Sequence, residues 1–140
     1  TTGWAFLDTA GGTPLGGTFS KWADVEQLIL THEPDQIIIE AFRLYPSASS
    51  RLKWNDLIAA QVFGACAAMA DKYLIPWHAQ NAVEAKRLDL GRGNRFHKHT
   101  LDAYKHILVW LKKQGETDAP KEEDRERERP TGTACEPATD

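Results

Sequence analysis

Only two cysteines occur among the 140 residues, Cys66 in an alanine-rich apolar run and Cys135 in a polar segment. Two cysteines so placed exclude a disulfide framework and a cysteine zinc site. No apolar run approaches the roughly 20 residues needed to span a bilayer, and no secretory signal is visible. We therefore expect a protein that works in a reducing, cytoplasmic compartment.

The chain has little net charge, −3, but the charge is unevenly distributed. Residues 115–140 carry nine acidic and four basic residues, a net −5, whereas residues 1–114 carry eleven acidic and thirteen basic residues, a net +2. We predict one folded domain over residues 1–114 and a disordered charged tail over residues 115–140, because the tail has almost nothing to bury.

Basic residues cluster in one part of the predicted domain, where they fit a polyanionic partner. The cluster consists of Lys86, Arg87, Arg92, Arg95, Lys98 and Lys105.

Hydrophobic periodicity predicts alternating strands and helices. Strands are predicted over residues 3–8, near 18–20, over 36–40 and over 74–78. Helices are predicted over residues 23–32, 55–73, 82–88 and 99–113, the last ending at Gly115. Residues 42–53 and 89–96 are predicted loops. This order indicates an α/β protein in which helices cover one mixed β-sheet.

The run at residues 36–40 places three consecutive isoleucines before Glu40. Such a run is typical of a strand buried on both faces, and an acid at its carboxyl end is well placed to reach a site. Asp102 stands near the start of the last predicted helix, with His99 three residues earlier on the same face. The two acids predict a cation site if the fold joins them.

Three short motifs, taken in order, resemble RuvC-type Holliday-junction resolvases. Residues 2–7 resemble the second strand of that family, residues 37–40 its acid-tipped central strand, and residues 99–103 the acidic motif that opens its last helix. Residues 40–57 are most similar to the phage-encoded branch. The resemblance covers about residues 1–114.

This resemblance implies an RNase H-like fold and a magnesium-dependent endonuclease that resolves branched DNA in a bacterium or a phage-infected host. Glu40 and Asp102 would be ligands of two Mg²⁺ ions, for which Mn²⁺ can substitute, and His99 would be a further ligand or would orient water. Such ions generate a nucleophile and stabilise the leaving oxygen. A homodimer would suit a nearly two-fold junction.

The sequence departs from the family pattern at its start. The family carries its first catalytic aspartate on a strand just before the motif that matches Thr2 and Gly3. Nothing precedes Thr1 in this sequence. We therefore expect that the opening strand and one metal-binding acid are missing, and that the activity of this chain is impaired.

The basic residues around the predicted cleft are expected to contact DNA phosphates, in a salt-sensitive and sequence-independent manner. Some flank the loop after Glu40 and the others lie in the basic cluster. They are Arg43, Arg51, Lys53, Lys86, Arg87, Arg92, Arg95 and Lys98.

Structural interpretations stay open beside these functional ones. Glu40 could be a strand-end acid in solvent, Asp102 could only favour the positive end of its helix, and His99 could lie clear of any metal. His106, one turn beyond Asp102, is interpreted as a structural histidine. Two other functions also stay open. One is a nuclease for structured RNA resembling the YqgF family, and the other is a catalytically inactive nucleic-acid-binding module of the same fold.

Overall fold

The computed structural model describes residues 1–43, 57–91 and 95–118, with side chains described as far as residue 115 in the last range. The strands are β1 (Thr2–Phe6), β2 (Leu15–Phe19), β3 (Ile37–Glu40) and β4 (Trp77–Gln80). The helices are α1 (Asp24–His32), α2 (Ile58–Lys72), α3 (Ala82–Lys86) and α4 (Lys98–Asp118). The predicted α/β class is confirmed. Most of the predicted loop at 42–53 and the tail beyond residue 118 lie outside the described residues.

The strands form two separate pairs in the described part of the chain, not the single mixed sheet that the sequence predicted. β1 pairs with β2 antiparallel, from Thr2 opposite Phe19 to Phe6 opposite Leu15. β3 pairs with β4 in parallel, and Glu40 lies opposite Gln80 at the carboxyl end of this pair. Helix α4 packs most extensively on β1 and also contacts β2, β3 and α3, so one helix spans both sheets.

Close approach between α4 and the first sheet depends on glycine. A Cβ atom at Gly3 would overlap the His99 carbonyl group and come within 2.6 Å of the Thr100 nitrogen. Thr100 is buried, and its hydroxyl donates a hydrogen bond of 2.8 Å to the carbonyl oxygen of Gly17 in β2. The start of α4 is thereby fixed directly against β1 and β2.

Several predicted boundaries differ from the observed ones, and two of these differences have a clear physical reason. The fourth strand begins at Trp77 instead of residue 74, because the chain first completes a hydrogen-bonded turn after α2. Helix α4 continues through Gly115 to Asp118. A Cβ atom at Gly115 would have no neighbour within 4 Å, and a helical glycine costs only about 1 kcal/mol, so a strongly helical segment can continue through it.

The hydrophobic core is small for the described residues. The buried apolar side chains there are Val25, Ile29, Ile39, Ala70 and Ala85. The prediction that the isoleucine strand is buried on both faces was therefore wrong for Ile37 and Ile38, which are half-buried. Helix α2, expected to be buried, is also largely half-exposed. An open cavity beside β3 accounts for both differences.

No helix in the described ranges is both long enough and apolar enough to cross a membrane.

Leu74 has a backbone conformation that is unfavourable for a residue with a Cβ, so we expect that replacing it with glycine stabilises the fold. It lies just after α2 with φ of 56° and is 90% exposed. The turn is a Schellman motif, in which Leu74 N–H donates to Asp71 and Ile75 N–H donates to Ala70. A left-handed conformation is about 1–2 kcal/mol less favourable for a residue with a Cβ than for glycine. Part of the stability gained by substituting glycine is lost again, because glycine has more conformational entropy in the unfolded state.

We expect Leu74→Gly to raise the free energy of unfolding by about 0.5–1 kcal/mol, as measured by urea denaturation followed by circular dichroism. Leu74→Ala is the matched control, because it removes the same exposed side chain but keeps the Cβ. Equal stabilities of the two variants would contradict the role assigned to the backbone.

Candidate active site between the two sheets

A cavity of about 1340 Å³ separates the two sheets. It is lined by every residue of 1–9, which includes β1, and by every residue of 34–43, which includes β3. Successive side chains of a strand point to opposite faces, so a cavity on one face of a sheet would be lined by every second residue. This cavity is lined by consecutive residues of both strands, and it therefore lies along the strand edges. Within the described residues each of these two edges pairs with no other strand, as is also true of the outer edges of β2 and β4.

Several predicted site residues line this one cavity. Glu40 enters from the end of β3, and His99 and Asp102 enter from the first turns of α4. Among the predicted DNA-contacting residues, Arg43, Lys86 and Arg87 also line the cavity, and all three are exposed. Acids and bases that are far apart in sequence are therefore brought to one concave surface.

Other predicted DNA-contacting residues lie elsewhere. Arg95 lines a separate shallow pocket beside β2, together with His97 and Thr18. Lys98 is exposed and lines neither of these pockets. Arg51, Lys53 and Arg92 lie outside the described residues.

Glu40 is held by a buried histidine. Its Oε2 atom lies 3.3 Å from Nε2 of His106, which is only 4% exposed. The other ring nitrogen, Nδ1, lies 3.0 Å from Oε1 of Gln80, which is 2% exposed. The parallel register explains this arrangement, because Glu40 and Gln80 are directly opposite each other and project from the same face.

The network continues to Glu84, which also lines the cavity, and to the later part of α4. Gln80 Nε2 donates a hydrogen bond of 3.3 Å to Oε2 of Glu84 on α3, and Lys113 near the end of α4 forms an ion pair with that same oxygen. The chain of contacts joins β3, β4, α3 and α4, so the position of Glu40 is set by four elements of the fold.

The pKa of the Glu40 carboxyl group lies below its ordinary value. The main cause is the hydrogen bond with His106, which partial burial opposes and the positive charges of His106 and Lys86 reinforce. Because the ionised form is favoured, this contact stabilises the fold above the ordinary carboxyl pKa. That stabilisation is lost as the pH falls through the lower folded-state pKa.

The carboxylates that line the cavity are suitable ligands for a hard divalent cation, but there are too few of them close together to form a complete metal site. Carboxylates such as Glu40 and Asp102 are the ligands that Mg²⁺ prefers. In the described ranges, however, no three histidine, cysteine, aspartate or glutamate side chains come close enough together to hold a metal ion. A closed site for two cations would need a further acid, or movement of the acids that line the cavity.

Cys66 also lines the cavity, but its chemistry is unsuited to nucleophilic catalysis. Burial raises the pKa of its thiol to about 11, so the reactive thiolate is scarce near neutral pH. The candidate functional groups of the cavity are therefore its carboxylate, imidazole and cationic side chains, and not the thiol.

Sequence reasoning did not predict that His106 and Gln80 form a hydrogen-bonded network with Glu40. One signal for His106 was present, because it lies four residues after Asp102 and so shares its helical face. Gln80 had no comparable signal, since its position beside the network follows from the register that places it opposite Glu40.

No protein-family model matches the sequence, and a search of curated proteins also gave no match.

Proposed function

We propose that this chain is a RuvC-like endonuclease domain of the RNase H-like superfamily, which cleaves branched DNA with the help of Mg²⁺. One observation carries the proposal: Glu40, Asp102 and His99 line a single cavity whose walls also bear Arg43, Lys86 and Arg87. Acidic residues that could bind cations thus lie in the same cavity as basic residues that could bind the phosphates of a DNA strand.

The residues have separate roles in this proposal. Glu40 and Asp102 bind divalent cations in the cavity, and His99 is a further ligand or orients water. Lys86 and Arg87 hold the phosphodiester backbone, and because phosphate contacts carry no base information, they act on any sequence. Bound cations would supply an activated water and a stabilised leaving oxygen.

An additional β-strand in the gap between β1 and β3 forms part of the proposal. Support comes from the two unpaired edges on one cavity and from the incomplete burial of Ile37 and Ile38. The family resemblance implies a strand of this kind that carries a further catalytic acid, and such a strand would unite the two sheets.

A binding and cleavage assay tests this function. We expect the chain to bind a labelled four-way junction more tightly than a linear duplex or a structured RNA, with affinity falling as salt rises. Lys86→Gln should weaken junction binding and reduce the salt slope by about 0.9, the contribution of one phosphate contact.

Lys72→Gln is the matched control, because Lys72 pairs with Glu26 outside the cavity. An equal loss of affinity in both variants, or binding that salt does not weaken, would contradict a DNA interface at the cavity. Preferential cleavage of structured RNA would favour the YqgF-like alternative.

A catalytically inactive nucleic-acid-binding module is the second candidate. It is favoured by the absence, in the part of the chain that the structure describes, of three potential metal ligands grouped together. Junction binding without cleavage in Mg²⁺ or Mn²⁺ by the native protein that contains these residues would support this candidate over the nuclease.

A further inference from the structure

Three lysines form a straight row along the outer side of α4. They are Lys98, Lys105 and Lys112, each seven positions after the one before. Seven residues make almost two full helical turns, so the three positions share one side of the helix. At a rise of about 1.5 Å per residue, the lysines of this row are spaced by about 10.5 Å and the row is about 21 Å long.

The lysine row faces away from the first sheet and from the cavity. Lys98 lies two positions before Thr100, which is about 200° around the helix. Thr100 is the buried residue whose hydroxyl donates a hydrogen bond to β2. Lys98 and Lys112 are exposed, and Lys105 is half-buried. The row lines neither the cavity nor the shallow pocket beside β2, so the site already described does not include it.

Fold stability does not explain the charge of the row. Lys113 on the same helix pairs with Glu84, but neither Lys98 nor Lys105 forms an ion pair within the ranges that the structure describes. Lys98 also lies in the first turn of α4, which contains no acidic residue, and a cation at this end of a helix is unfavourable. Unpaired positive charges in a regular array favour an anionic partner.

Duplex DNA is the partner that fits this array. It carries one negative charge per about 1.7 Å of its axis, so about 12 phosphate charges lie alongside a row that is about 21 Å long. Lysine contacts to phosphates carry no base information, and the row would therefore bind DNA of any sequence.

The row and the cavity lie on different sides of α4. The helix directs His99 and Asp102 into the cavity, where Arg43, Lys86 and Arg87 also lie. Since a helix is about 10 Å wide, a straight duplex contacts one side of α4 at a time, whereas two arms that diverge from a branch can contact both sides.

We propose that the lysine row binds the phosphate backbone of a second DNA arm while the cavity holds the first. This inference rests on the proposed function and deepens it, because it assigns the recognition of a branch to a surface that contains no predicted metal ligand.

Binding measurements without metal test the lysine row. The probes are a labelled four-way junction and a linear duplex of the same arm sequence, with affinity measured by fluorescence anisotropy in EDTA. We expect the unmodified chain to bind the junction about tenfold more tightly than the duplex. The double variant Lys98→Gln, Lys105→Gln should lose that preference, and its salt slope for the junction should fall by about 1.8, the contribution of two phosphate contacts.

The double variant Lys21→Gln, Lys72→Gln is the matched control. It also removes two exposed positive charges, and neither lysine lines the cavity or the shallow pocket. Its preference for the junction should equal that of the unmodified chain. Retention of the preference by the variant of the row, or the same loss in the control, would overturn the proposal.

Lysine acetylation read by mass spectrometry makes the test independent of any variant. In the unmodified chain, a bound junction should protect Lys98, Lys105 and Lys86 from the reagent. Protection of Lys86 alone would overturn the role of the row but leave the proposed function in place. Protection of the row alone would support the row and contradict a DNA interface at the cavity. Equal protection of the row by polyglutamate would indicate an acidic polypeptide as the partner and overturn the assignment to DNA.

Discussion

Glu40→Gln is expected to leave four-way junction binding intact and to reduce metal-dependent cleavage on the order of 10³-fold or more. The substitution keeps the size of the side chain and an acceptor oxygen, but removes the charge that would hold a cation. Glu40 is largely exposed at the cavity, so the loss should fall on catalysis more than on folding. The measurement is single-turnover cleavage of a labelled junction by the native protein containing these residues, with binding followed by gel shift.

The matched control is Glu26→Gln, which neutralises an acid at the surface outside the cavity. Glu26 accepts hydrogen bonds from Lys72 at 2.6 Å and from Tyr73 at 2.5 Å, so its removal affects only a contact between α1 and the end of α2. Cleavage by Glu26→Gln should match that of the unmodified protein. Undiminished cleavage by Glu40→Gln would remove Glu40 from the site and end the proposed mechanism.

Gly3→Ala is expected to lower the free energy of unfolding by about 3 kcal/mol or more, at the upper end of overpacking effects. The new methyl group would overlap the backbone of His99, which cannot move by changing a rotamer. Helix α4 would have to move away from β1 and break the hydrogen bond from Thr100 to Gly17. Because small domains are stable by only about 5–15 kcal/mol, this change should lower the denaturation midpoint clearly.

Gly64→Ala provides a control of opposite sign. Gly64 lies within α2, and a Cβ atom there would meet nothing within 4 Å. Alanine at this helical position should stabilise the chain by about 0.5–1 kcal/mol. Urea denaturation of both variants separates the effects, and similar stability changes at Gly3 and Gly64 would contradict the close packing of α4 on β1.

The sequence was sufficient to predict Glu40 as a strand-end acid and Asp102 as a helical acid on a shared cavity. Both predictions used local patterns: an apolar run that ends in a carboxylate, and acidic and apolar residues at helical spacing. The structure places both residues on the cavity. The resemblance to junction resolvases and its metal chemistry remain predictions.

The sequence could not predict the partners of Glu40, because they depend on strand register. His106, Gln80 and Glu40 are separated by tens of residues along the chain, and they meet only because β3 and β4 pair in parallel beneath α4. The single mixed sheet was also expected from strand order alone. Strand order does not show which strands are in contact. In the described residues a cavity lies between β1 and β3, and these two strands do not pair.

The cavity between β1 and β3 has a consequence for how the protein behaves in solution. Each inner strand edge presents backbone N–H and C=O groups that, among the described residues, no neighbouring strand satisfies. Such edges are templates for β-augmentation, and a second copy of the chain can supply the missing hydrogen bonds as readily as an intramolecular strand. We therefore expect self-association of this chain to increase with protein concentration, because strand pairing between copies would satisfy these backbone groups.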